Sequence, residues 1–352
     1  VNEQDGGAGM TDDGHAATKV GEPRKAAARP VPEKSRKTSF RSSPRYRSFV
    51  KYRFVVGFLI IPFGLYAVFV ISPFVQTFYY SFTDWTGVSS DFNMVGFENY
   101  SRLLDDSTFW AAVRNNLILA LAVPLVTLSL GLFFAFMVTV GGRHKKGEAV
   151  SGVRGAKTYK IVYFFPQALS IAVIAALWGY IFKPDVGLLE PLLPEALSPN
   201  GGWLADSKFA LWAVVIVMCW AMVGFFVVLF SAAIGQIPKE IYESALLDGA
   251  SRAATFFRIT LPLIRDTVQT GWVYMGIMAL GAESFAVVNI ITQGPGGPDD
   301  STMVLGVYLW NTGFSQLQAG RGAAMGVALF LLTMILAVAA LSVGRRRDRI
   351  EY

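Results

Sequence analysis

From about residue 54 the chain alternates long apolar runs with short polar ones. Six runs stand out, at 54–78, 111–140, 161–182, 209–234, 268–291 and 322–343. Each is near or above the ~20 residues that a helix needs to cross the hydrocarbon core of a bilayer. None shows the polar–apolar alternation of a barrel strand, and lipid cannot satisfy open backbone groups. The pattern predicts an all-α membrane protein with six transmembrane helices.

The polar segments orient the runs. Basic residues cluster before the first (Arg41, Arg45, Arg47, Lys51, Arg53), after the second (Arg143, Lys145, Lys146, Arg154, Lys157), after the fourth (Lys239, Arg252, Arg258, Arg265) and after the last (Arg345, Arg346, Arg347, Arg349). The intervening loops are poor in bases and often acidic, with Asp84, Asp91, Glu98, Asp105 and Asp106 in one and Asp185, Glu190, Glu195 and Asp206 in another. Lys and Arg stay on the cytoplasmic side, so both termini are expected there. Residues 1–50 carry too few large apolar side chains to fold alone and read as a disordered basic cytoplasmic tail. They are no secretory signal, because the charged region is too long and the following apolar run exceeds an h-region. Residues 51–345 then form the membrane domain and 346–352 a cytoplasmic end.

Composition narrows the class further. Of 352 residues 53% are hydrophobic and 16% charged, against about a quarter charged in a soluble domain. The net charge of +6 sits at span ends, which fits membrane orientation and argues against nucleic acid. The single cysteine, Cys219, lies in an apolar run, allows no intrachain disulfide and reads as a small buried hydrophobe. His15 and His144 stand in polar segments, and no Cys/His spacing suits a metal. Of the loops, 96–117 ("GFENYSRLLDDSTFWAAVRNNL") has the helical spacing of an interfacial helix leading into the second span. "TQGPGGPDDST" at 292–302 must turn tightly.

The segment 240–257, "EIYESALLDGASRAATFF", is no plain linker. Pro238 suits the first turn of a helix, and Glu240 and Glu243 suit the positive end of its dipole. Ile241 with Ala245, and Tyr242 with Leu246, fall one turn apart. Asp248-Gly249 stops the helix, since Gly takes a left-handed cap without strain. Ser251 can cap a second short helix that carries Phe256 and Phe257, and Leu261-Pro262 ends it. The apolar side of this pair would either rest on lipid headgroups or dock into a cytoplasmic partner; its tight turn favours a shaped plug.

At these residues the sequence resembles a known family. "IPKEIYESALLDGASRAATFFRITLPLI" (237–264) resembles the EAA loop of ABC-importer permeases, with Glu243-Ser244-Ala245, then Gly249, Ile259, Leu261 and Pro262. Ser stands where the second Ala is usual. "GFENYSRLL", "FWAAVRNNL", "GPGGP" and "GFSQLQAGRGAAMGVALFLL" extend the resemblance to carbohydrate importers of the maltose type, over about 50–345. The loop "TQGPGGP" is two residues longer than the family's T-x-G-G-P. The basic tail and Arg-rich C-terminus look like the first permease of the pair.

The resemblance implies a type I ABC importer permease fold in a bacterial inner membrane. It implies a homologous second permease, an ABC ATPase dimer that binds ATP and Mg, and an extracytoplasmic substrate-binding protein. A carbohydrate, di- or oligosaccharide, would be the substrate. Coupling to the ATPase falls on 237–262, with Glu243, Ser244, Ala245, Asp248, Gly249, Phe256, Phe257 and Pro262. Contact with the binding protein falls on Gly296, Gly297 and Pro298.

The chain's own chemistry is sparse. It has no G-x-x-x-x-G-K-[ST] phosphate loop, and "GGRHKKGE" lacks that spacing. It has no G-x-S-x-G and no His–carboxylate pair. No catalytic residue and no cofactor is expected in it. Polar groups inside the membrane usually face a cavity or the bundle interior. Glu283, with Ser284 and Asn289, is either a packing network or a substrate-facing group. Trp220 and Phe225 are either core or faces for a sugar ring; the resemblance places the transport cavity on their span and on that of Glu283. Gly320, Gly322 and Gly326 read as close helix packing. Two other functions stay open: a permease for a polyol or glycerol phosphate, and a stand-alone secondary transporter.

Overall fold

The structure, a computed structural model, describes residues 44–142, 152–183, 187–194, 202–292 and 296–345. The basic turn with His144, the end 346–352 and the tail up to residue 43 lie outside the described residues. Packing divides the chain into two units, Val1–Gly64 and Leu65–Tyr352. Of the first, 44–64 are described and are helical. Helix α1, Pro44–Tyr66, starts inside the segment expected to be an unstructured tail, and Pro is at home in a first helical turn. A π-helical turn at Ala67–Ile71 leads into α2, Ser72–Tyr80. The widening has a local cause. Pro73 has no N–H to give residue 69 and its ring crowds that carbonyl, so Ser72 N–H reaches back to the Ala67 carbonyl instead.

A short α3, Glu98–Leu104, precedes α4, Ser107–Thr139. The sequence predicts an interfacial helix within 96–117 that leads into the second span; the structure places it at α3 and separates it from α4 at Asp105–Asp106. Asp106 is extended (ψ 116°), and its side chain accepts from the backbone N–H of Thr108 and Phe109, so a new helix starts there. At 33 residues, α4 is about 50 Å long and outlasts the ~30 Å hydrocarbon core.

The third apolar run is not one helix. α5, Ala156–Phe164, passes through a 3₁₀ turn at Phe165–Ala168 to α6, Ile171–Ile181, and the two pieces meet at 96°. Pro166 cannot continue the hydrogen-bond ladder, and the Ser170 hydroxyl caps the second piece at Val173 N. α7, Ala210–Gly235, is the most enclosed of the four single spans. Two short helices, α8 at Lys239–Leu247 and α9 at Arg252–Thr255, lead through a second π turn at Phe256–Thr260 to α10, Leu261–Leu263. Here Pro262 repeats the device seen at Pro73, with Leu261 N–H reaching the Phe256 carbonyl. The fifth run is α11, Arg265–Leu280, and α12, Ala282–Ile291, bent by 46° at Gly281. α13, Leu305–Trp310, and α14, Ala319–Arg345, complete the chain. Among the described residues, four stretches are therefore long and apolar enough to cross singly, and up to six crossings result if each bent pair is one.

The core forms where α7 meets α4 and α11. The ring of Phe226 is fully buried between two glycines. A Cβ on Gly131 would lie 2.8 Å from the Phe226 Cβ, and one on Gly271 would lie 2.9 Å from its Cε1. Small residues let the helix backbones close on the ring. Contacts also sort the connections onto two ends. Arg252 donates to the Gly142 carbonyl at 2.9 Å, joining the loop after α4 to the loop after α7. At the other end Gly320 N–H donates to the Trp85 carbonyl at 2.8 Å, and Ser207 to Asp299 at 2.9 Å. The connections alternate between ends as six crossings require.

Candidate functional site

At the α8 end, the turn has the geometry that its residues predict. Gly249 adopts φ +76°. Its N–H donates to the Leu246 carbonyl (3.1 Å), and Ala250 N–H to the Ala245 carbonyl (2.9 Å), which together make a Schellman cap. Ser251 then caps α9, accepting from Ala254 N at 3.2 Å. Tyr242 and Ala245 point inward; Tyr242 is 4% exposed. The hydroxyls of Tyr242 and Thr260 lie 3.2 Å apart, tying α8 to the π turn before α10. Burial pushes the Tyr242 hydroxyl above the usual tyrosine range, with Thr260 partly offsetting it.

The other residues expected to couple are split by this packing. Glu243 is half-buried, while Ser244, Asp248, Gly249 and Pro262 are exposed. Phe256 packs edge-on to Phe136 of α4 at 5.2 Å, whereas Phe257 faces out. Leu247, at the tip of α8, is 80% exposed. A cleft of about 200 Å³ opens between Phe136, Val140, Tyr242, Leu246 and Arg252. The segment is thus held to the bundle by one face and presents Leu247, Ser244 and Phe257 outward.

The residues expected along the path lie on α7 and α12. Trp220 is partly exposed and meets the edge of Trp178 on α6, ring centroids 5.6 Å apart. Phe225, about 140° further round α7, lies 6.0 Å from the exposed Tyr274 of α11. Glu283 stands half-buried in the first turn of α12, beside the bend at Gly281. Ser284 is 1% exposed, and its hydroxyl donates to the Gly281 carbonyl at 3.0 Å. It braces the bend instead of facing a cavity. Asn289 is half-buried two turns on. Trp178 and Tyr274 were not singled out from sequence; each is an aromatic in an apolar run until tertiary packing pairs it.

At the α3 end, the 296–305 loop is clasped to the start of α4. Gly296 (φ +80°) is buried and Gly297 (φ +77°) half-buried. A side chain on either would strike the loop's return: a Cβ at 296 would lie 2.6 Å from Met303 Cε, and one at 297 would lie 2.6 Å from Thr302 Oγ1. These glycines shape the loop, Pro298 is half-buried, and the residue it exposes is Asp299. Asp299 and Asp300 are both left-handed, at φ +52° and +56°. The Asn115 amide donates to the carbonyls of Asp300 (3.1 Å) and Met303 (2.9 Å), Thr108 donates to the Asp300 carboxylate (2.9 Å), and Leu305 N–H donates to Asn116 (2.8 Å). Asp106, besides capping α4, accepts from Tyr308 and from Arg321 of α14. Burial, then the hydrogen bond to Asp106, pushes the Tyr308 hydroxyl up to about 12. None of this clasp was found from sequence. Among the described residues, no group of three or more His, Cys, Asp or Glu could hold a metal.

Known proteins were compared with this arrangement. Residues 147–349 match the family of binding-protein-dependent transport system inner membrane components. The diacetylchitobiose uptake system permease protein of Streptomyces coelicolor is 40% identical over 307 residues, covering 86% of both chains. The multiple sugar-binding transport system permease protein of Streptococcus mutans is 30% identical over 292 residues, covering 82% of this chain and 94% of that one. A chain of a bacterial ABC transporter involved in import of the acidic polysaccharide alginate has a similar fold, with a TM-score of 0.70 at 20% identity over 87% of this chain and all of that one.

Proposed function

The chain belongs to the binding-protein-dependent transport system inner membrane components, and from that premise we propose that it is one permease of an ATP-driven importer of a di- or oligosaccharide. It forms the translocation path with a homologous second permease. An ABC ATPase dimer, which carries the ATP and Mg, docks on the 237–262 segment, and an extracytoplasmic binding protein delivers the sugar at the α3 end. Both termini lie in the cytoplasm, as the alternation of Lys and Arg indicates.

The observation that carries the coupling role is the two-faced build of that segment. Tyr242, Ala245 and Phe256 anchor it to the bundle, and the Gly249 cap projects Leu247 and Phe257. A helix pair floating on headgroups needs no second anchored face. ATP-driven closure of the ATPase dimer would pull on this plug and shift the bundle between two packed states. The carbohydrate assignment is supported by the relatives named for diacetylchitobiose and multiple sugars.

The test has two arms. The tagged chain, purified from its membrane, should bring down an ABC ATPase and a second permease, and uptake of a labelled chito- or malto-oligosaccharide should require ATP. Uptake without an ATPase partner would sink the coupling role. ATP-dependent uptake of glycerol phosphate or a polyol in place of sugar would sink only the substrate.

A further inference from the structure

At the α3 end two cavities of opposite character meet across Trp85, Thr86 and Leu317. One is an apolar groove of about 480 Å³, walled by Thr77 and Tyr80 of α2, Leu309 of α13, and Gly322, Ala323 and Gly326 of α14. The other is a polar pocket of about 260 Å³, lined by Asp84, Glu98, Asn99, Arg102, Gln318 and Arg321.

The groove fits within the depth of one lipid leaflet. From Ala319 to Gly326 it follows α14 for about 10 Å, within the ~15 Å that is half a hydrocarbon core. Its mouth carries a stacked aromatic pair, Tyr80 on Trp85 at 4.2 Å, the residue types that settle where membrane meets water. The shape is fixed. Gly320 N–H holds the Trp85 carbonyl at 2.8 Å, and Gly313 and Gly322 are so close that a Cβ on Gly322 would lie 2.9 Å from the Gly313 Cα. A partner helix would need a trough running past this depth, and the groove covers only about two turns of one.

The pocket above it carries both signs of charge. Glu98 pairs with Arg102 at 2.5 Å on the exposed side, and Asp84 is exposed in the same lining, where its carboxylate also accepts from the backbone and side-chain N–H of Asn93 at 2.6 and 3.2 Å. Arg321 gives one nitrogen to Asp106 at 2.5 Å, while its Nε, shielded from water, has no partner among the described residues. A purely anionic headgroup would leave Asp84 and Glu98 facing like charge. A sugar would use the polar pocket and leave the apolar groove without a purpose. A phosphate joined to an ammonium matches the two bases and the two acids, and its acyl chain matches the groove.

We propose that the paired cavity seats one zwitterionic aminophospholipid of the phosphatidylethanolamine kind. Its acyl chain lies between α2 and α14, its phosphate on Arg102 and Arg321, and its ammonium on Asp84 and Glu98. The lipid would brace the clasp that Asp106, Tyr308 and Arg321 make at this end.

The experiment is native mass spectrometry of the assembled transporter, released from detergent with phosphatidylethanolamine, phosphatidylcholine or phosphatidylglycerol present at equal concentration. Phosphatidylethanolamine should be retained about tenfold better than either of the others. The double variant Asp84→Asn/Glu98→Gln, at exposed positions, should erase that preference, and Ala323→Phe should displace every lipid while the subunits still co-elute. If Ala323→Phe fails to assemble, Ala323→Leu, which fills less of the groove, should lower retention in the same direction. Equal retention of the three lipids overturns the proposal. So does unchanged retention in an assembled Ala323 variant, or a crosslink from Ala323→Cys to the second permease showing a partner helix in the groove.

Discussion

Replacing Gly249 separates backbone shape from side-chain contact. Its φ of +76° is a conformation that costs an L-residue about 1–2 kcal/mol, whereas Asn tolerates it best after Gly. Among the described residues, its chain neighbours aside, nothing lies within 4 Å of where a Cβ would stand, so the cost is one of backbone alone. Escaping it means giving up the Gly249 N–H to Leu246 and Ala250 N–H to Ala245 hydrogen bonds, each worth about 1 kcal/mol net. Alanine should therefore lower the population of the capped turn by about 5- to 30-fold relative to open forms. Valine, branched at Cβ, should lower it further. ATP-coupled uptake in proteoliposomes should fall in the order Gly, Asn, Ala, Val, in parallel with the amount of ATPase co-purified. Membrane insertion should not change. Wild-type uptake by Gly249→Val would refute the coupling role of the turn. An Asn variant as inactive as Val would instead mean that the ATPase surface touches this position, and that φ is not what matters.

Four further outcomes are expected. Phe226→Ala, at the fully buried ring between Gly131 and Gly271, should cost about 3–5 kcal/mol, read as a large fall in thermal unfolding temperature in detergent; a shift of only a degree or so would contradict this packing. Leu247→Asp, at an 80% exposed tip, should change stability by less than about 0.5 kcal/mol yet lose the ATPase in a pull-down. Arg321→Met removes the ion pair from Asp106 but leaves the α4 cap and the Tyr308 bond; about 1–3 kcal/mol should be lost, and the Asn115→Ala variant should release the 296–305 loop to proteolysis while Arg321→Met does not. Tyr308 titrates from about 12 in the fold, above its unfolded value of about 10. Its contribution is intact below pH 10 and is lost as pH rises toward 12. Asp106, Asp300 and Arg321 surround it, and Tyr308→Phe should flatten the alkaline stability profile in that window; an unchanged profile would count against the assignment.

What was legible in the sequence is what is local. Gly249 and Ser251 set their own turn within four residues, so the caps at 249 and 251 follow from residue type. Apolar run length likewise gives the spans. The breaks at Pro166 and Gly281 were visible as residues but not as bends, because Pro124 stands inside a helix that continues through it; a Pro or Gly bends a span only where neighbouring packing takes up the freed backbone groups. The clasp was illegible for a different reason. Asp106 and Arg321 are 215 positions apart, and Asn115 and Met303 are 188 apart, and in isolation each reads as an ordinary loop or span-end polar residue. Ser284 shows the same limit in reverse: the sequence left it between a packing network and a substrate contact, and only the bend one turn earlier shows that its hydroxyl donates to the Gly281 carbonyl.

These local and long-range features lie along one element. α11 starts directly after the segment that Tyr242 and Thr260 lock together, and its 16 residues carry about 24 Å of stiff helix to the bend at Gly281. Beyond the bend, α12 leads to the loop that Asn115 and Thr108 hold against α4. A displacement of α8 would thus reach Gly281 as a rigid push, because the Tyr242–Thr260 contact leaves no slack at the near end and the clasp fixes the far end. The 46° bend is the place where that push can be absorbed, and Glu283 stands in the first turn beyond it. If coupling works through this lever, Thr260→Val, which removes the hydroxyl beside Tyr242 but keeps the side chain's volume, should weaken uptake more than it weakens ATPase binding. Equal losses in both would mean that the segment only docks, and that motion enters the bundle elsewhere.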